Sequence, residues 1–154
     1  MLSAVSTTPA PAPDVHRVPG CLFCEIADGE RPAHLVLDEP ELLGFLDVRP
    51  VFKGHVLLIP RSHIDTLLDL PARLRDPFLD ATQRVALAME DGLGAKGSFV
   101  ATNTKVSQSV PHFHMHVVPR TKGDGLRGFF WPRTKYAAES EASDYAKRIR
   151  EVLS

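Results

Sequence analysis

The sequence predicts an α+β fold with a mostly antiparallel five-stranded sheet, one long helix and a C-terminal helix. Three observations predict this fold. Five short apolar runs bounded by turn residues have the length of strands, and a single long segment between the third and fourth runs has helical periodicity. No strand is followed by a glycine-rich phosphate loop, which argues against Rossmann and P-loop folds. The 154 residues, 44% of them hydrophobic, are enough for one core, so we expect one domain.

The predicted elements begin after residue 20. The stretch CLFCEIADGE (21–30) is typical of a short helical turn that ends near Gly29, and apolar spacing over 71–93 predicts the long helix. Because proline favours the first turn of a helix, we expect this helix to start at Pro77, after a turn at Asp76. An amphipathic helix follows from residue 139. The predicted strands are 33–40, 41–48, 54–60, 97–103 and 112–119.

Three regions divide the chain. Residues 1–19, rich in Ala, Pro, Ser and Thr, have the composition of a flexible tail, although an arm that docks on a partner subunit is an alternative. Residues 20–137 form the predicted domain. Residues 138–154 form the predicted C-terminal helix.

The charge balance bears on partners and location. Lys and Arg number 18 against 19 Asp and Glu, a formal net charge of -1, so no bulk charge favours nucleic acid or an anionic membrane. The longest apolar runs fall short of the roughly 20 residues that a membrane-spanning helix needs. The start of the sequence lacks the early Lys or Arg and the long apolar stretch of a secretory signal. We therefore expect a cytoplasmic protein without a nucleic-acid or membrane partner.

Three histidines alternate with apolar residues in SVPHFHMHVVPR (109–120). On a strand, His112, His114 and His116 share one face, and the apolar residues between and after them fill the other. The outer two Cα atoms would lie about 13 Å apart, so at most two neighbours can share a metal ion. A chance cluster of exposed histidines is an alternative, but three of the chain's 7 histidines on one strand argue against it. The remaining interpretation is a division of labour, in which one neutral imidazole attacks phosphorus and the others assist.

The sequence resembles the histidine triad (HIT) family, whose signature alternates three histidines with apolar residues. The stretch HFHMHVV matches every position of that signature, and 21–70 resembles the N-terminal half of the family. The resemblance implies a HIT-like fold and a homodimer whose sheet extends across the two subunits. It also implies a nucleotide hydrolase or nucleotidyl transferase that acts at the α-phosphate of a nucleoside phosphoramidate, a dinucleoside polyphosphate or a related purine nucleotide.

The resemblance further implies the roles of individual residues. The central histidine would be the nucleophile that forms a covalent nucleotidyl intermediate, and its neighbours would orient it or contact the phosphate. An acidic residue would bind the ribose hydroxyls between two apolar residues that flank the base. From the residues alone, a backbone-bonded histidine at the start of a strand is the alternative for His55, and Phe45 and Val48 would simply be core. The implied catalytic residues are His114, His116, His112 and His55. The implied nucleotide-binding residues are Phe45, Asp47, Val48, Asn103, Gln108 and Ser109, of which the last three would contact the phosphate.

Two segments are less typical of the family. The loop NTKVSQSV (103–110) is short and has Ser107 where a glycine often stands. Lys105 within it could add a phosphate contact, but a solvated side chain is the favoured interpretation. The segment 120–137 combines basic and aromatic side chains. It could contact a second base or phosphates, or it could lie in an interface. We expect Trp131 to influence selectivity among nucleotide substrates.

The only two cysteines, Cys21 and Cys24, form a Cys-x-x-Cys pair. In a reducing compartment this spacing suits a metal site or a redox pair better than a structural disulfide, and a zinc site would need two histidines to complete it. Resemblance to the zinc-bearing HIT proteins implies a structural zinc held by Cys21, Cys24, His63 and His112, with no catalytic metal required. The alternative is a reduced, metal-free pair.

Two other functions remain open from the sequence. The first is a nucleotide-binding regulatory module with little turnover, since one pocket serves binding and catalysis alike. The second is a zinc-dependent hydrolase whose triad histidines hold a catalytic metal, which the spacing along a strand disfavours.

Overall fold

Five strands form one antiparallel sheet in the computed structural model, which describes residues 15–126 and 134–153. The strands are paired in the order β1-β2-β3-β5-β4. The predicted α+β fold is confirmed, and each predicted strand corresponds to an observed one. The bounds are β1 Leu35–Asp38, β2 Leu42–Leu46, β3 Val56–Pro60, β4 Gly97–Ala101 and β5 Met115–Arg120.

The α-helices in the described part of the chain are α1 Leu22–Ala27, α2 Ala72–Leu93 and α3 Glu139–Leu153, and a short 3-10 helix spans Leu67–Asp69. The expectation that the long helix starts at Pro77 is wrong, because α2 contains that proline. A proline inside a helix removes the hydrogen bond to the carbonyl four residues earlier, here that of Arg73. Both Arg73 and Pro77 are exposed, so water can solvate the carbonyl. At its other end α2 stops at Gly94, whose φ of 69° closes the helix in the left-handed conformation that favours glycine.

The sheet has a core on each face. Successive residues of a strand point to opposite faces, so in β3 Val56 and Leu58 pack toward α2 while Leu57 and Ile59 pack toward α1. All five residues of β3 are buried, as expected for a central strand that is covered on both sides. Gly44 of β2 lies directly beside β3. Its neighbours leave no room for a Cβ atom, which would lie 2.9 Å from the Leu58 side chain.

The last strand is shorter than predicted, and this difference shapes the site. The sequence predicts a strand over 112–119, whereas β5 begins at Met115. Before that residue the chain leaves the ladder: the Phe113 amide donates to the carbonyl of Ile64, and the His112 side chain bonds to the carbonyl of Pro60. The His112 side chain thus bonds to a β3 carbonyl in place of a backbone amide, and residues 112–114 do not pair with β3.

The described start of the chain contacts the segment directly after β3. The His16 amide donates to Ser62 Oγ at 3.0 Å, and the His63 amide donates to the His16 carbonyl at 2.8 Å. The boundary of the predicted tail at residue 19 stays a prediction, and residues 1–14 lie outside the described part of the chain.

Two compact units divide the chain after Lys122. The second contains α3, and there the rings of Tyr136 and Tyr145 lie 5.9 Å apart and the Arg148 guanidinium lies 5.4 Å from the Tyr145 ring. The prediction for Trp131 falls outside the described residues. Among the described helices, none combines the length and the apolar character needed to cross a membrane.

Candidate active site

A cavity of about 530 Å³ opens beside the triad. The walls come from α1, from the end of β2 and from the segment 109–116, and two of the triad histidines, His114 and His116, line it. The lining is mainly apolar with a few polar groups, as is usual for small-molecule sites. Its lining residues are Leu22, Phe23, Ile26, Arg31, Pro32, Ala33, Phe45, Leu46, Asp47, Val48, Arg49, Leu57, Ser109, Val110, His114 and His116.

His114 is fixed on three sides. Its Nδ1 lies 2.7 Å from the carbonyl oxygen of His112, and because a carbonyl only accepts, Nδ1 carries the hydrogen. The Thr102 hydroxyl donates to the backbone carbonyl of His114 at 2.7 Å, and the Phe23 ring meets the imidazole edge to face at 5.1 Å. Burial lowers the pKa of His114, so the ring is neutral at pH 7. The lone pair of His114 is therefore on Nε2.

His55 and His116 form a hydrogen-bonded relay. The Val51 amide donates to His55 Nδ1 at 3.1 Å, which leaves the His55 hydrogen on Nε2. That Nε2 lies 3.0 Å from His116 Nδ1 and donates to it, so His116 in turn carries its hydrogen on Nε2. Burial lowers the pKa of His55, and burial followed by the neighbouring His114 and His55 lowers the pKa of His116 to about 4. The relay therefore ends in a neutral N–H donor on the ring of His116.

The acidic residue at the end of β2 lies in the same cavity. Asp47 Oδ1 accepts from the Arg49 amide at 2.8 Å, and Oδ2 lies 3.7 Å from His55 Nδ1. Phe45 is buried and also lines the cavity, so it belongs both to the core and to the wall. Val48 is 90% exposed at the rim, which excludes the core interpretation for that residue.

The residues predicted to contact the phosphate do not all line the same cavity. Ser109 lines the cavity, whereas Asn103 is exposed and lines neither this cavity nor the neighbouring one around Lys105. Gln108 uses its side chain to hold the loop: Oε1 accepts from the Lys105 amide at 2.9 Å, and Nε2 donates to the Asp65 carbonyl at 2.6 Å. The predicted phosphate contacts of Asn103 and Gln108 therefore stay predictions.

A second cluster lies behind the triad. Cys21, Cys24, His63 and His112 are all buried, and one potential ligand atom from each lies within 4.8 Å of the others. His112 Nδ1 is 3.5 Å from Cys21 Sγ and 3.7 Å from Cys24 Sγ, and His63 Nδ1 is 3.3 Å from Cys24 Sγ. Both cysteines are free thiols. The structure thus brings together the four residues for which the resemblance implies a metal site.

Outer contacts fix which nitrogen of each histidine faces the thiols. His112 Nε2 donates to the Pro60 carbonyl at 2.8 Å, and His63 Nε2 contacts Asp65 Oδ1 at 2.8 Å. In both rings Nδ1 is therefore the unprotonated nitrogen. Two Nδ1 lone pairs and two sulfur atoms converge, which is the donor set of a Cys2His2 zinc site with both histidine hydrogens held from outside.

The electrostatics of the cluster also fit a cation. Burial raises the pKa of the Cys24 thiol and lowers the pKa of His112 to about 4, because both charged forms lose water. Burial thus favours the neutral Cys24 thiol and the neutral His112 ring while no positive charge is present. A buried dication would supply the charge that a thiolate needs there.

Four residues that contribute to the site were not singled out from the sequence. Thr102 and Phe23 hold His114, Asp65 contacts His63, and Arg31 lines the cavity. Phe23 lies between the cysteines, so its place in the Cys-x-x-Cys pair could have signalled proximity to the site. The other three are common residue types on turns or strand ends, where no spacing rule singles them out.

Comparisons with known proteins agree with this geometry. The family model described as "HIT domain" matches residues 28–123. "Protein hit" of Bacillus subtilis (strain 168) is 35% identical over 134 residues, which cover 85% of this chain and 87% of that protein. "Adenosine 5'-monophosphoramidase HNT1" of Saccharomyces cerevisiae is 30% identical over 137 residues, 87% of this chain and 81% of that protein. A structure described as a "ZN-bound histidine triad family protein from Mycobacterium smegmatis" aligns with a TM-score of 0.67 and 35% identity, over 86% of this chain and 97% of that one.

The fold, the triad and these matches define the class. The chain belongs to the HIT family, whose members generally hydrolyse nucleotide substrates, and the predicted resemblance is confirmed.

Proposed function

We propose that this protein cleaves a nucleotide at its α-phosphate through a covalent nucleotidyl intermediate on His114. One observation carries the proposal: a neutral His114 whose Nδ1–H is bound to the His112 carbonyl, so that Nε2 has the lone pair, beside a cavity of about 530 Å³. A neutral imidazole so oriented is a nucleophile that needs no base to deprotonate it.

The first chemical step balances on this geometry. The Nε2 lone pair of His114 forms a bond to the α-phosphorus, and the bond from phosphorus to the leaving group breaks. The leaving group departs with the electron pair of that bond and takes up a proton. The Nδ1–H bond to the His112 carbonyl stabilises the positive charge that develops on the ring.

The second step regenerates free His114. The oxygen of water bonds to the α-phosphorus, the bond between phosphorus and Nε2 breaks with its electron pair returning to His114, and the water releases a proton. In a transfer reaction another acceptor takes the place of water. Nothing in the arrangement of His114 distinguishes the two outcomes, because the same bond to Nε2 breaks in both.

His116 acts on the phosphate rather than on the nucleophile, and His55 positions His116. The His116 Nε2–H, held by the relay from the Val51 amide, is suited to donate to a phosphate oxygen, where charge increases in the transition state. His55 touches His116 and not the cavity, so we assign it as a positioning residue.

The rest of the cavity suits a nucleoside. Asp47 keeps acceptor capacity on its carboxylate for ribose hydroxyls, since one oxygen receives the Arg49 amide. Phe45 and Val48 offer apolar contacts for a base. The adenosine monophosphoramidase name of the Saccharomyces relative supports a purine nucleoside phosphoramidate as one substrate class.

A structural zinc at Cys21, Cys24, His63 and His112 belongs to the same proposal. The donor set fits, and the similar Mycobacterium smegmatis protein, which is described as zinc-bound, supports it. A bound zinc would supply the charge that stabilises two thiolates and would fix His112. His112 in turn orients His114 through its carbonyl, so this chain's own backbone links the metal cluster to the nucleophile.

A catalytic metal in the triad is the less favoured alternative. Asp47, His55 and His116 do lie close enough to form a second group of ligand atoms. However, His55 Nδ1 accepts from the Val51 amide, and His55 Nε2 uses its hydrogen on His116 Nδ1. Three of the four ring nitrogens are thus engaged in hydrogen bonds, which supports a relay rather than a metal centre.

We further propose the homodimer that the family resemblance implies. β1 and β4 are the edges of the sheet, and Val100 of β4 is 43% exposed. Edge strands can extend a sheet across a two-fold axis. Light scattering of the purified protein should give twice the chain mass of 16.9 kDa, and a monomer at all concentrations would reject the dimer.

The mechanism is tested by trapping the intermediate. Wild-type protein mixed with adenosine 5'-phosphoramidate and rapidly quenched should gain the mass of one adenylyl group, located on His114. His114→Ala should lower kcat by more than about a thousandfold while nucleotide affinity changes little, because only the attacking nitrogen is lost. His34→Ala, which removes an exposed histidine outside the cavity, is the matched control and should retain full activity.

Three other outcomes would contradict the mechanism or favour an alternative function. Full activity of His114→Ala would refute the covalent mechanism. Tight nucleotide binding with neither adduct nor turnover in the wild type would favour the regulatory module. Loss of all activity on chelation in a protein that stays folded would favour the metal-dependent hydrolase.

A further inference from the structure

We propose that a second cavity, which adjoins the first at Ser109, receives the leaving group of a dinucleoside polyphosphate, and that Lys105 binds its phosphates. The ligand class is a nucleoside 5'-phosphate that departs when His114 attacks. This inference rests on the proposed function, since it assigns the part of the substrate that does not stay on His114.

The second cavity is large and borders the first. Its volume is about 830 Å³, and its walls come from 18–22, 63–66 and 105–111. Leu22, Ser109 and Val110 line both cavities, so the two spaces meet along one rim. Because His114 and His116 line the first cavity, a phosphate chain that starts at His114 can pass Ser109 and enter the second.

The two walls of the second cavity differ in chemistry. Val18, Pro19 and Pro111 offer apolar contacts of the kind that a base or a sugar makes. Lys105 is the one cationic side chain among the lining residues, and within the described part of the chain no carboxylate forms an ion pair with it. The nearby carboxylate, Asp65, contacts His63 Nε2. A cation without a protein partner, in a cavity joined to a phosphate site, suits a polyphosphate.

The loop that carries Lys105 is held in an unusual conformation. Lys105 and Ser107 have φ of 66° and 61°, in the left-handed region where a side chain costs energy and glycine is usual. The Gln108 side chain holds this loop by accepting from the Lys105 amide and donating to the Asp65 carbonyl. Residues in such sparsely populated conformations persist only where their surroundings hold them, and they cluster at active sites and ligand clamps. Here the Gln108 side chain holds the backbone at Lys105, which lines the second cavity.

Size separates two kinds of substrate. A cavity of about 830 Å³ lies in the range of sites for whole small molecules, so it suits a nucleoside phosphate. The ammonia that leaves a phosphoramidate needs no such space. The two substrates share the adenylyl half at His114, and they differ in what would occupy the second cavity.

The experiment compares kcat/KM for adenosine 5'-phosphoramidate and for diadenosine triphosphate. Lys105→Glu should lower kcat/KM for diadenosine triphosphate by about tenfold or more, the usual effect of losing a charge-assisted hydrogen bond to phosphate. It should change kcat/KM for the phosphoramidate by less than about twofold, since Lys105 lies outside the adenylyl cavity. Lys105→Arg, which keeps the positive charge, should retain most of the wild-type kcat/KM for diadenosine triphosphate. Lys96→Glu makes the same charge change at an exposed residue that lines neither cavity, and it should affect neither substrate.

The outcomes separate this inference from the proposed function. Equal effects of Lys105→Glu on both substrates, or no effect on either, would overturn the second site while the mechanism at His114 stands. So would a wild-type protein that cleaves the phosphoramidate and leaves diadenosine triphosphate intact. A wild-type protein that cleaves neither and forms no adduct on His114 would overturn the proposed function and this inference with it.

Discussion

His55 donates a hydrogen bond from Nε2 to Nδ1 of His116 across 3.0 Å. The direction of this bond follows from the Val51 amide, which donates to the other nitrogen of His55. A backbone amide thus determines, through two rings, that His116, which lines the cavity, carries its hydrogen on Nε2. By contrast, His114 has its hydrogen on Nδ1 because the His112 carbonyl can only accept. Two adjacent triad members therefore present opposite functions, a donor and a lone pair.

These hydrogen positions can be measured by imidazole nitrogen NMR at neutral pH. We expect His114 to be the Nδ1–H tautomer and His55, His63, His112 and His116 to be Nε2–H tautomers, because each has a fixed partner.

The control for this measurement is His55→Phe, which removes the donor to His116 Nδ1. In that variant His116 should exchange between tautomers while His114 keeps its own. A wild-type His116 with its hydrogen on Nδ1 would contradict the relay.

Stability should fall in mild acid because of the same buried rings. The pKa of His116 is lowered to about 4 by burial, with His114 and His55 adding to it and Asp47 opposing it. In the unfolded chain a histidine titrates near 6.5, so between these values the unfolded state binds more protons and is favoured as the pH falls. This ring contributes no destabilisation above about pH 6.5, and its destabilising effect on the folded state grows as the pH falls and is complete below about pH 4.

Urea unfolding at pH 7 and pH 5 tests this linkage. His116 alone should lower the free energy of unfolding by roughly 2 kcal/mol between the two values. His116→Phe should show a correspondingly smaller decrease, and His34→Asn, at an exposed histidine, should behave as the wild type. An identical decrease in His116→Phe would exclude this ring as the source.

Thr102 should prove to be a positioning residue. Thr102→Val keeps the shape of the side chain and removes the hydroxyl that donates to the His114 carbonyl, so the proposed nucleophile loses one of its three supports. We expect kcat to fall by roughly tenfold with KM little changed, since a small displacement of a reacting group is costly.

Thr82→Val is a matched control for that substitution. Thr82 is a buried threonine whose hydroxyl also donates to a backbone carbonyl, that of Phe78 within α2. Both variants should lose about 1 kcal/mol of stability, and only Thr102→Val should lose kcat. Equal kcat values for the two variants would show that the Thr102 contact serves stability alone.

Metal analysis of protein purified without chelator should find about one zinc per chain, as four ligands imply. Cys24→Ser should lower the zinc content and the melting temperature together, because metal binding and folding are coupled. A zinc content far below one per chain in the wild type would reject the site.

Asp65 offers a finer test of the same site, because its carboxylate contacts the outer nitrogen of His63. Asp65→Ala should weaken zinc affinity by about 10- to 100-fold, the usual effect of removing such a partner. Asp65→Asn keeps an acceptor oxygen and should lose less. Identical zinc affinities for the two variants would contradict the role of this contact.

The sequence predicted those features that depend on local pattern. Alternating and continuous apolar runs predicted the five strands. The Cys-x-x-Cys pair predicted only half of a metal site, and the resemblance to the zinc-bearing HIT proteins predicted which two histidines would join it. The start of β5 was missed because a side chain, that of His112, takes the place of a ladder bond. The predicted start of α2 was also wrong, because an exposed Pro77 costs less free energy inside a helix than we had expected from its position in the sequence.

Contacts between segments that are far apart in the chain could not be predicted from the sequence. The Gln108 amide bonds to Asp65, 43 residues earlier, and the Thr102 hydroxyl bonds to His114, so neither role follows from neighbouring residues. The hydrogen positions on the rings depend on backbone groups of Val51, Pro60 and His112 that only the folded chain brings near.

Asp65 contacts both the Cys2His2 cluster and the loop of Lys105. Its carboxylate contacts His63 of that cluster, and its backbone carbonyl accepts from Gln108, which holds the loop. At the proposed zinc site, loss of the metal would therefore act through Asp65 on the Lys105 loop. On that proposal, the supply of zinc would bear on which nucleotides the protein prefers.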